Sequence, residues 1–242
     1  MAPEIISRTF SFISAMVNSS TRKLGQAGDG REQALLKHVL EVAEKNPQSV
    51  LNTIDKYAQR TWLMNIGDDK GTILDTALTK CNPKTVLELG AYCGYSAVRI
   101  ASQLPPGSKL ISVEMSPQNV SIARQIVEHA GLSSKVTVIE GILSTKVEEV
   151  KTQLHAANAK FFDFVFIDHD KNCYLPDVLL LKEQGMIEKG TVLFADNMKI
   201  PGSPKYRSYL KAHSNEFETV EHNCSFEYLK FLPDSVVIST CK

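Results

Sequence analysis

The chain has 242 residues, 43% of them apolar, which is enough for one large buried core and suits a single domain. Its 27 Lys and Arg balance 27 Asp and Glu, so no net field gathers nucleic acid or an anionic membrane, and any ligand must be recognised locally. The five cysteines, Cys81, Cys93, Cys173, Cys224 and Cys241, form no CxxC pair, which argues against a disulfide framework or structural zinc and fits a reducing, cytoplasmic setting.

In chain order, PEIISRTFSFISAMVNSSTRKLG comes first. It is intermittently apolar, is interrupted by Arg8 and several serines, and is too short to span a bilayer, so it reads as a frayed or loosely docked terminus. Over residues 31–62, Leu35, Leu36, Val39, Leu40 and Val42, then Val50, Leu51, Ile54 and Tyr57, follow helical spacing and predict two helices split at Asn46-Pro47. After the turn-like IGDDKG, a third helix runs through ILDTALTK and stops near Cys81-Asn82-Pro83. The period then changes. TVLEL, KLISVEM, KVTVIEG, FDFVFID and TVLFADN have strand length and alternate with helical segments over 96–103, 118–130, 145–154 and 175–184. This βαβ alternation predicts an α/β, Rossmann-like fold with a parallel sheet and helices on both faces. EFETVEH, FEYLKFL and SVVIST read as strands with short connections, an antiparallel edge to the sheet.

In such sheets ligands bind beyond the carboxyl ends of the strands. Here those ends carry Glu88-Leu89-Gly90-Ala91-Tyr92-Cys93-Gly94, then Glu114, Asp168 and Asp196-Asn197. Gly90 and Gly94 let the backbone turn tightly and approach a nucleotide-like ligand, although turn geometry alone also explains them, and their GxxxG spacing is not the GxGxxG of dinucleotide binders. Glu114 suits both hydroxyls of a ribose; alone, it is equally a solvated strand end. Asp168, Asp196 and Asn197 offer three hard oxygens suited to Mg²⁺. Each acid alone could cap a following helix, but together they repel unless a cation relieves them. Lys171, three residues beyond Asp168, is either a general base or a solvated lysine. His169 is open between metal ligand, base, cofactor contact and packing group. No GxSxG elbow supports hydrolase chemistry.

The stretches WLMNIGDDKG, VLELGAYCGYSAVRIA, IDHDKNCYLPD, LLL, KGTVLFADN and Pro201-Gly202, in that order, resemble the catechol O-methyltransferase family from about Gly28 to the C-terminus. The resemblance implies a class I methyltransferase fold with a seven-stranded, mostly parallel sheet, formed by one methyltransferase domain over 28–242 behind an extension of residues 1–27. It implies S-adenosylmethionine and Mg²⁺ as cofactors and methylation of one hydroxyl of a small catechol. Asp168, Asp196 and Asn197 look like the metal ligands, Lys171 like the general base, and Glu227, in SFEY, like the carboxylate holding the second hydroxyl. Met64, Ile66, Gly90, Tyr92, Ser96, Glu114, Met115, Asp168 and His169 look like the cofactor shell. Trp62 and Pro201 look like substrate walls, with Asp168, Lys171, Asn197 and Glu227 also meeting the substrate. A cytoplasmic monomer or weak homodimer in catecholamine metabolism, with no nucleic-acid partner and no membrane span, is the corresponding expectation.

The chain departs from the family at several places. Asp170 stands where the family commonly has a tryptophan, an exchange expected to admit larger or more polar catechols or to favour a cationic amine. Lys199 adds a charge before Pro201, the chain is one residue shorter ahead of Glu227, and ILSTK aligns too poorly to assign Ser144 to the adenine. A methyltransferase of caffeoyl-type diols and an inactive cofactor-binding scaffold are the alternatives, and the GxxxG spacing disfavours a dehydrogenase.

Overall fold

A computed structural model of the chain describes residues 3–17 and 26–242; within the expected 1–27 extension, residues 1, 2 and 18–25 lie outside the described residues. In chain order the elements are α1 (Pro3–Val17), α2 (Arg31–Val42), α3 (Pro47–Ala58), α4 (Gly67–Cys81), β1 (Thr85–Leu89), α5 (Tyr95–Gln103), β2 (Lys109–Glu114), α6 (Pro117–His129) and β3 (Val136–Glu140). They continue with α7 (Leu143–Ala156), β4 (Phe164–Ile167), α8 (Tyr174–Glu183), β5 (Val192–Ala195), α9 (Pro204–Ala212), β6 (Phe217–Phe226) and β7 (Leu229–Cys241). Helix starts follow local chemistry. Pro47 and Pro117 occupy first-turn positions where no N–H is needed, and the side chains of Asn46 and Ser116 accept from Ser49 N and Asn119 N.

The seven strands lie in the order β3-β2-β1-β4-β5-β7-β6. Strands β1 to β5 pair in parallel, while β7 runs antiparallel to both β5 and β6. The mostly parallel sheet with an antiparallel C-terminal edge, expected from the strand pattern, is therefore the one observed. Alternation along each strand divides the core in two. Val86, Phe164, Phe166 and Phe194 face the side covered by α2 to α6, whereas Leu87, Leu89, Val165, Ile167 and Leu193 face α7, α8 and α9. β1 and β4 are buried along their whole length, each large apolar side chain contributing roughly 1.5–3 kcal/mol. The central strands are thus a rigid platform for whatever their carboxyl ends carry.

Two details differ from the sequence reading. FEYLKFL is not a strand of its own: Phe226 ends β6, Glu227 and Tyr228 make the turn, and Leu229 starts β7. Helix α9, which only Tyr206 and Leu210 anchor among its buried residues, lacks the repeated apolar spacing that would have announced it. Among the described residues, no helix is long and apolar enough to cross a membrane.

Candidate active site

The exits of β1 and β4 nearly touch. Gly90 has φ 96°, and a Cβ there would lie 2.5 Å from the carbonyl oxygen of Asp168, so only glycine lets β1 leave the sheet over β4. Asp168 N donates to Leu89 O at 2.9 Å and fixes Asp168 and His169 beside this turn. The following loop is tied down by Glu114 at the end of β2, whose carboxylate accepts from Tyr92 N and Ser116 N, both at 2.9 Å. Burial pushes the Glu114 carboxyl up while those backbone donors pull it down. Each oxygen retains acceptor capacity for a further donor such as a hydroxyl. Tyr92 donates its hydroxyl to Glu32 at 2.8 Å, and Ser96 is buried in the first turn of α5.

Glu88, which the sequence reading treated only as part of a strand end, is wholly buried, and burial pushes its carboxyl up to about 7 against the pull of the Ser112 and Ser96 hydroxyls. Its Oε1 and the Nδ1 of His169 are buried polar atoms without a hydrogen-bond partner. Two such orphans on adjoining strand ends mark a place prepared for a polar ligand. The other nitrogen of His169, Nε2, lies 2.9 Å from Asp177 Oδ2, and its ring stacks on Tyr174 with centroids 5.2 Å apart. Met64 and the buried Ile66 lead into α4, while Met115 remains 43% exposed past β2.

Beyond β4 and β5 the charges concentrate. Lys171 Nζ donates to Asp168 Oδ1 at 3.0 Å and to the Tyr174 hydroxyl at 2.5 Å, and that hydroxyl donates to Asp196 O at 3.0 Å. Lys70 of α4, fully buried, lies 2.8 Å from Asp196 and 3.3 Å from Asp234 of β7. Asn197 (φ 51°) commits its Nδ2 to Asp234 Oδ2 at 3.0 Å, leaving its hard oxygen for another partner.

Burial raises the Asp168 carboxyl to about 6, opposed by Lys171 and reinforced by Asp196. Glu227 is pushed well above the carboxylate range by burial and by Asp196 and Asp168, with Lys70 opposing. Burial alone would depress the Lys70 ammonium, but Asp196, Glu227 and Asp234 hold it above its ordinary value. Four carboxyls, Asp168, Asp196, Asp234 and Glu227, therefore share one low-dielectric region with two ammonium groups. This excess of acidic over basic groups is what a bound cation relieves, and Asp168, Asp196 and Asn197 supply oxygen donors of the right hardness. Among the described residues no three His, Cys, Asp or Glu side chains converge as a self-contained metal centre, so this set would leave positions to water or ligand.

On the acceptor side, the β6–β7 turn presents Glu227 at φ 48°, against Gly67, where a Cβ would lie 3.1 Å from the Glu227 carbonyl carbon. Trp62 Nε1 donates to Glu227 Oε2 at 2.5 Å. Pro201 is exposed in the irregular Met198–Gly202 turn, and Lys199 there donates to Asn223 Oδ1 at 2.6 Å. Asp170 is solvent-facing, its Oδ1 accepting from Asn172 N and Nδ2 at 2.9 and 3.0 Å. Asp168, Lys171, Asp196, Asn197, Glu227 and Trp62 are thus linked in one region, joined by groups the sequence reading did not select: Lys70, Tyr174 and Asp234. No spacing signal marks these three, because their partners are set by tertiary packing.

An O-methyltransferase family model matches residues 41–209. The chain is 43% identical over 205 residues to mouse catechol O-methyltransferase, covering 84% of this chain and 76% of the relative. It is 41% identical over 220 residues to a Mycobacterium tuberculosis protein named "Probable O-methyltransferase", covering 89% of this chain and 94% of that one. Among solved structures, the O-methyltransferase from Bacillus cereus in complex with SAH superposes with a TM-score of 0.61 at 19% identity, covering 96% of this chain and all of the other. TomG from Streptomyces achromogenes, in complex with SAM, gives 0.64 at 18%, covering 83% and 92%. These structural likenesses speak to the fold, that of class I methyltransferases. The sequence identity and the matched family region show that this chain belongs to the O-methyltransferase family.

Proposed function

We propose that the chain is a Mg²⁺-dependent catechol O-methyltransferase. The observation that carries this reading is the juxtaposition of a lysine base, Lys171, with an acid-rich, cation-compatible cluster and a buried hydroxyl-binding carboxyl, Glu227. The mouse relative's catechol activity supports the same acceptor.

S-Adenosylmethionine supplies an electrophilic methyl group, for which Gly90, Tyr92, Ser96, Glu114 and His169, with Met64, Ile66, Met115 and Asp168, form the binding shell. Asp168, Asp196 and Asn197 would hold Mg²⁺, which would supply Lewis acidity to an adjacent catechol hydroxyl. Lys171 accepts that hydroxyl's proton at Nζ, and Tyr174 holds the amine in place from 2.5 Å away. Glu227 binds the second hydroxyl, steadied by the Trp62 indole. Trp62 and Pro201 would align the ring so that its deprotonated oxygen faces the methyl group that bound S-adenosylmethionine would supply. Positioning of this kind contributes about 7–11 kcal/mol in favourable intramolecular reactions.

A vicinal diol is the discriminating feature. The purified protein with S-adenosylmethionine and Mg²⁺ is expected to convert catechol to its mono-O-methyl product by mass spectrometry and to leave resorcinol, with its hydroxyls one carbon further apart, unchanged. Equal turnover of both diols would contradict two-point binding by Glu227 and the Lys171 region. Catechol passed over in favour of caffeoyl-type acceptors would move the reading to that related class.

A further inference from the structure

One apolar cluster belongs to neither face of the sheet. Ala15, Ala27, Trp62, Phe226 and Leu229 form it, with Phe12, Met64, Ile200 and Leu232 packed against them. Phe226 and Ile200 immediately precede Glu227 and Pro201, and Trp62 hydrogen-bonds Glu227, so the cluster backs directly onto the proposed acceptor groups. From the N-terminal extension it takes Ala27 and, from α1, Phe12 and Ala15. The Phe12 ring meets Trp62 edge-on, with centroids 5.0 Å apart and planes at 75°, and meets Phe226 at 5.8 Å and 66°. Trp62 and Phe226 lie nearly parallel at 6.5 Å.

Polar bonds hold α1 in the same place. Trp62 N donates to Ser11 Oγ at 3.2 Å, and Ser7 Oγ donates to Arg60 O at 3.1 Å. Buried Arg31 bridges the two segments, donating to Ser11 O at 3.1 Å and to Trp62 O at 2.5 Å. Both backbone polar groups of Trp62 are therefore tied to α1 or to the arginine that grips it. Trp62 and Glu227 are left only 2% and 5% exposed.

Because the Trp62 indole hydrogen-bonds Glu227, a ring whose hydroxyl reached Glu227 would come against Trp62, the residue on which Phe12 packs. We propose that α1 is a cap over the acceptor site and that Phe12 is a specificity-determining residue, completing an aromatic wall that limits the size of the ring substituent accepted. The inference rests on the catechol reading for its acceptor, but the seating of the cap can be read separately, because Trp62 is the single tryptophan of the chain.

The test compares the full chain with its Phe12→Ala and Phe12→Leu variants by two measurements: tryptophan emission, and kcat/KM for catechol and 4-tert-butylcatechol. Phe12→Ala is expected to shift Trp62 emission to the red as water reaches the indole. It is also expected to raise the 4-tert-butylcatechol to catechol ratio on the order of tenfold, the scale on which pocket volume discriminates substrates. Phe12→Leu, which keeps an apolar filling, is expected to return both readouts most of the way to wild type. An unshifted emission in Phe12→Ala overturns the cap, and an unchanged ratio overturns the specificity role. Should Phe12→Ala fail to fold, Phe12→Trp decides instead: filling more of the wall lowers the ratio, and an unchanged ratio counts against the proposal. If the wild-type chain methylates neither catechol, the acceptor reading fails and the specificity role with it, whereas the emission shift still decides whether α1 covers Trp62.

Discussion

A fully buried lysine is the residue on which the charge balance of this site turns. Lys70 lies within 2.8 Å of Asp196 and 3.3 Å of Asp234, both buried with it. Lys70→Met would leave two buried carboxylates without their counter-ion, a class of change that costs about 3–5 kcal/mol. A marked fall in melting temperature, partly reversed by millimolar Mg²⁺, is the expected outcome; a variant as stable as wild type without added cation would show that Lys70 does not carry this compensation. Glu88 offers a second test, through pH. The folded state holds its proton up to about 7, against 4.5 for the ordinary group, so the cofactor-free protein loses stability as pH climbs through that interval. The full effect is on the order of 3 kcal/mol, and Glu88→Gln is expected to flatten the slope of unfolding free energy against pH between those values. An unaltered slope would place the titration elsewhere. Asp168, Asp196 and Asn197 stood out in the sequence because they end apolar strands, and Lys171 because it lies three residues beyond Asp168. Lys70 and Asp234 were not, since their partners are fixed by how α4 packs against a hairpin 164 residues away.

Among the elements, the crossing of β1 over β4 is the most constrained. With a Cβ at Gly90 placed 2.5 Å from Asp168 O, and with φ at 96°, Gly90→Ala forces the two strand exits apart and strains the turn by about 1–3 kcal/mol. Calorimetric titration with S-adenosylhomocysteine is expected to show a loss of affinity on the order of tenfold or more, as each 1.4 kcal/mol is tenfold in binding. Unchanged affinity would mean that this loop is not the cofactor cradle. The five parallel strands were readable from runs of apolar residues, because burial on both faces leaves little room for polar ones. The β6–β7 turn was not: Phe226-Glu227-Tyr228-Leu229 holds no Gly, Pro or Asn, and Glu227 adopts positive φ where a turn former would be expected. That unsignalled turn carries the carboxyl proposed to bind the substrate. Helix α1 reads in sequence as a broken apolar stretch because one side packs against Trp62 while Ile6, Phe10 and Ile13 stay exposed.

For the molecule as a whole, the sheet order places the ends of β1, β4 and β5 side by side, and the antiparallel β7 brings Asp234 and the Glu227 turn to the same edge of the platform. A chain of zero formal net charge thereby concentrates four carboxyls and two lysine amines in one largely buried region. In the proposed function, this region is built around a divalent cation that a catechol joins. The most direct measurement is methyl transfer to catechol in protein stripped with EDTA, then dialysed and titrated with Mg²⁺, alongside Asp196→Asn. Product formation that vanishes with EDTA, returns in step with added Mg²⁺ and needs far more Mg²⁺ in Asp196→Asn is the predicted result. Catechol methylation at full rate in the stripped protein would contradict it.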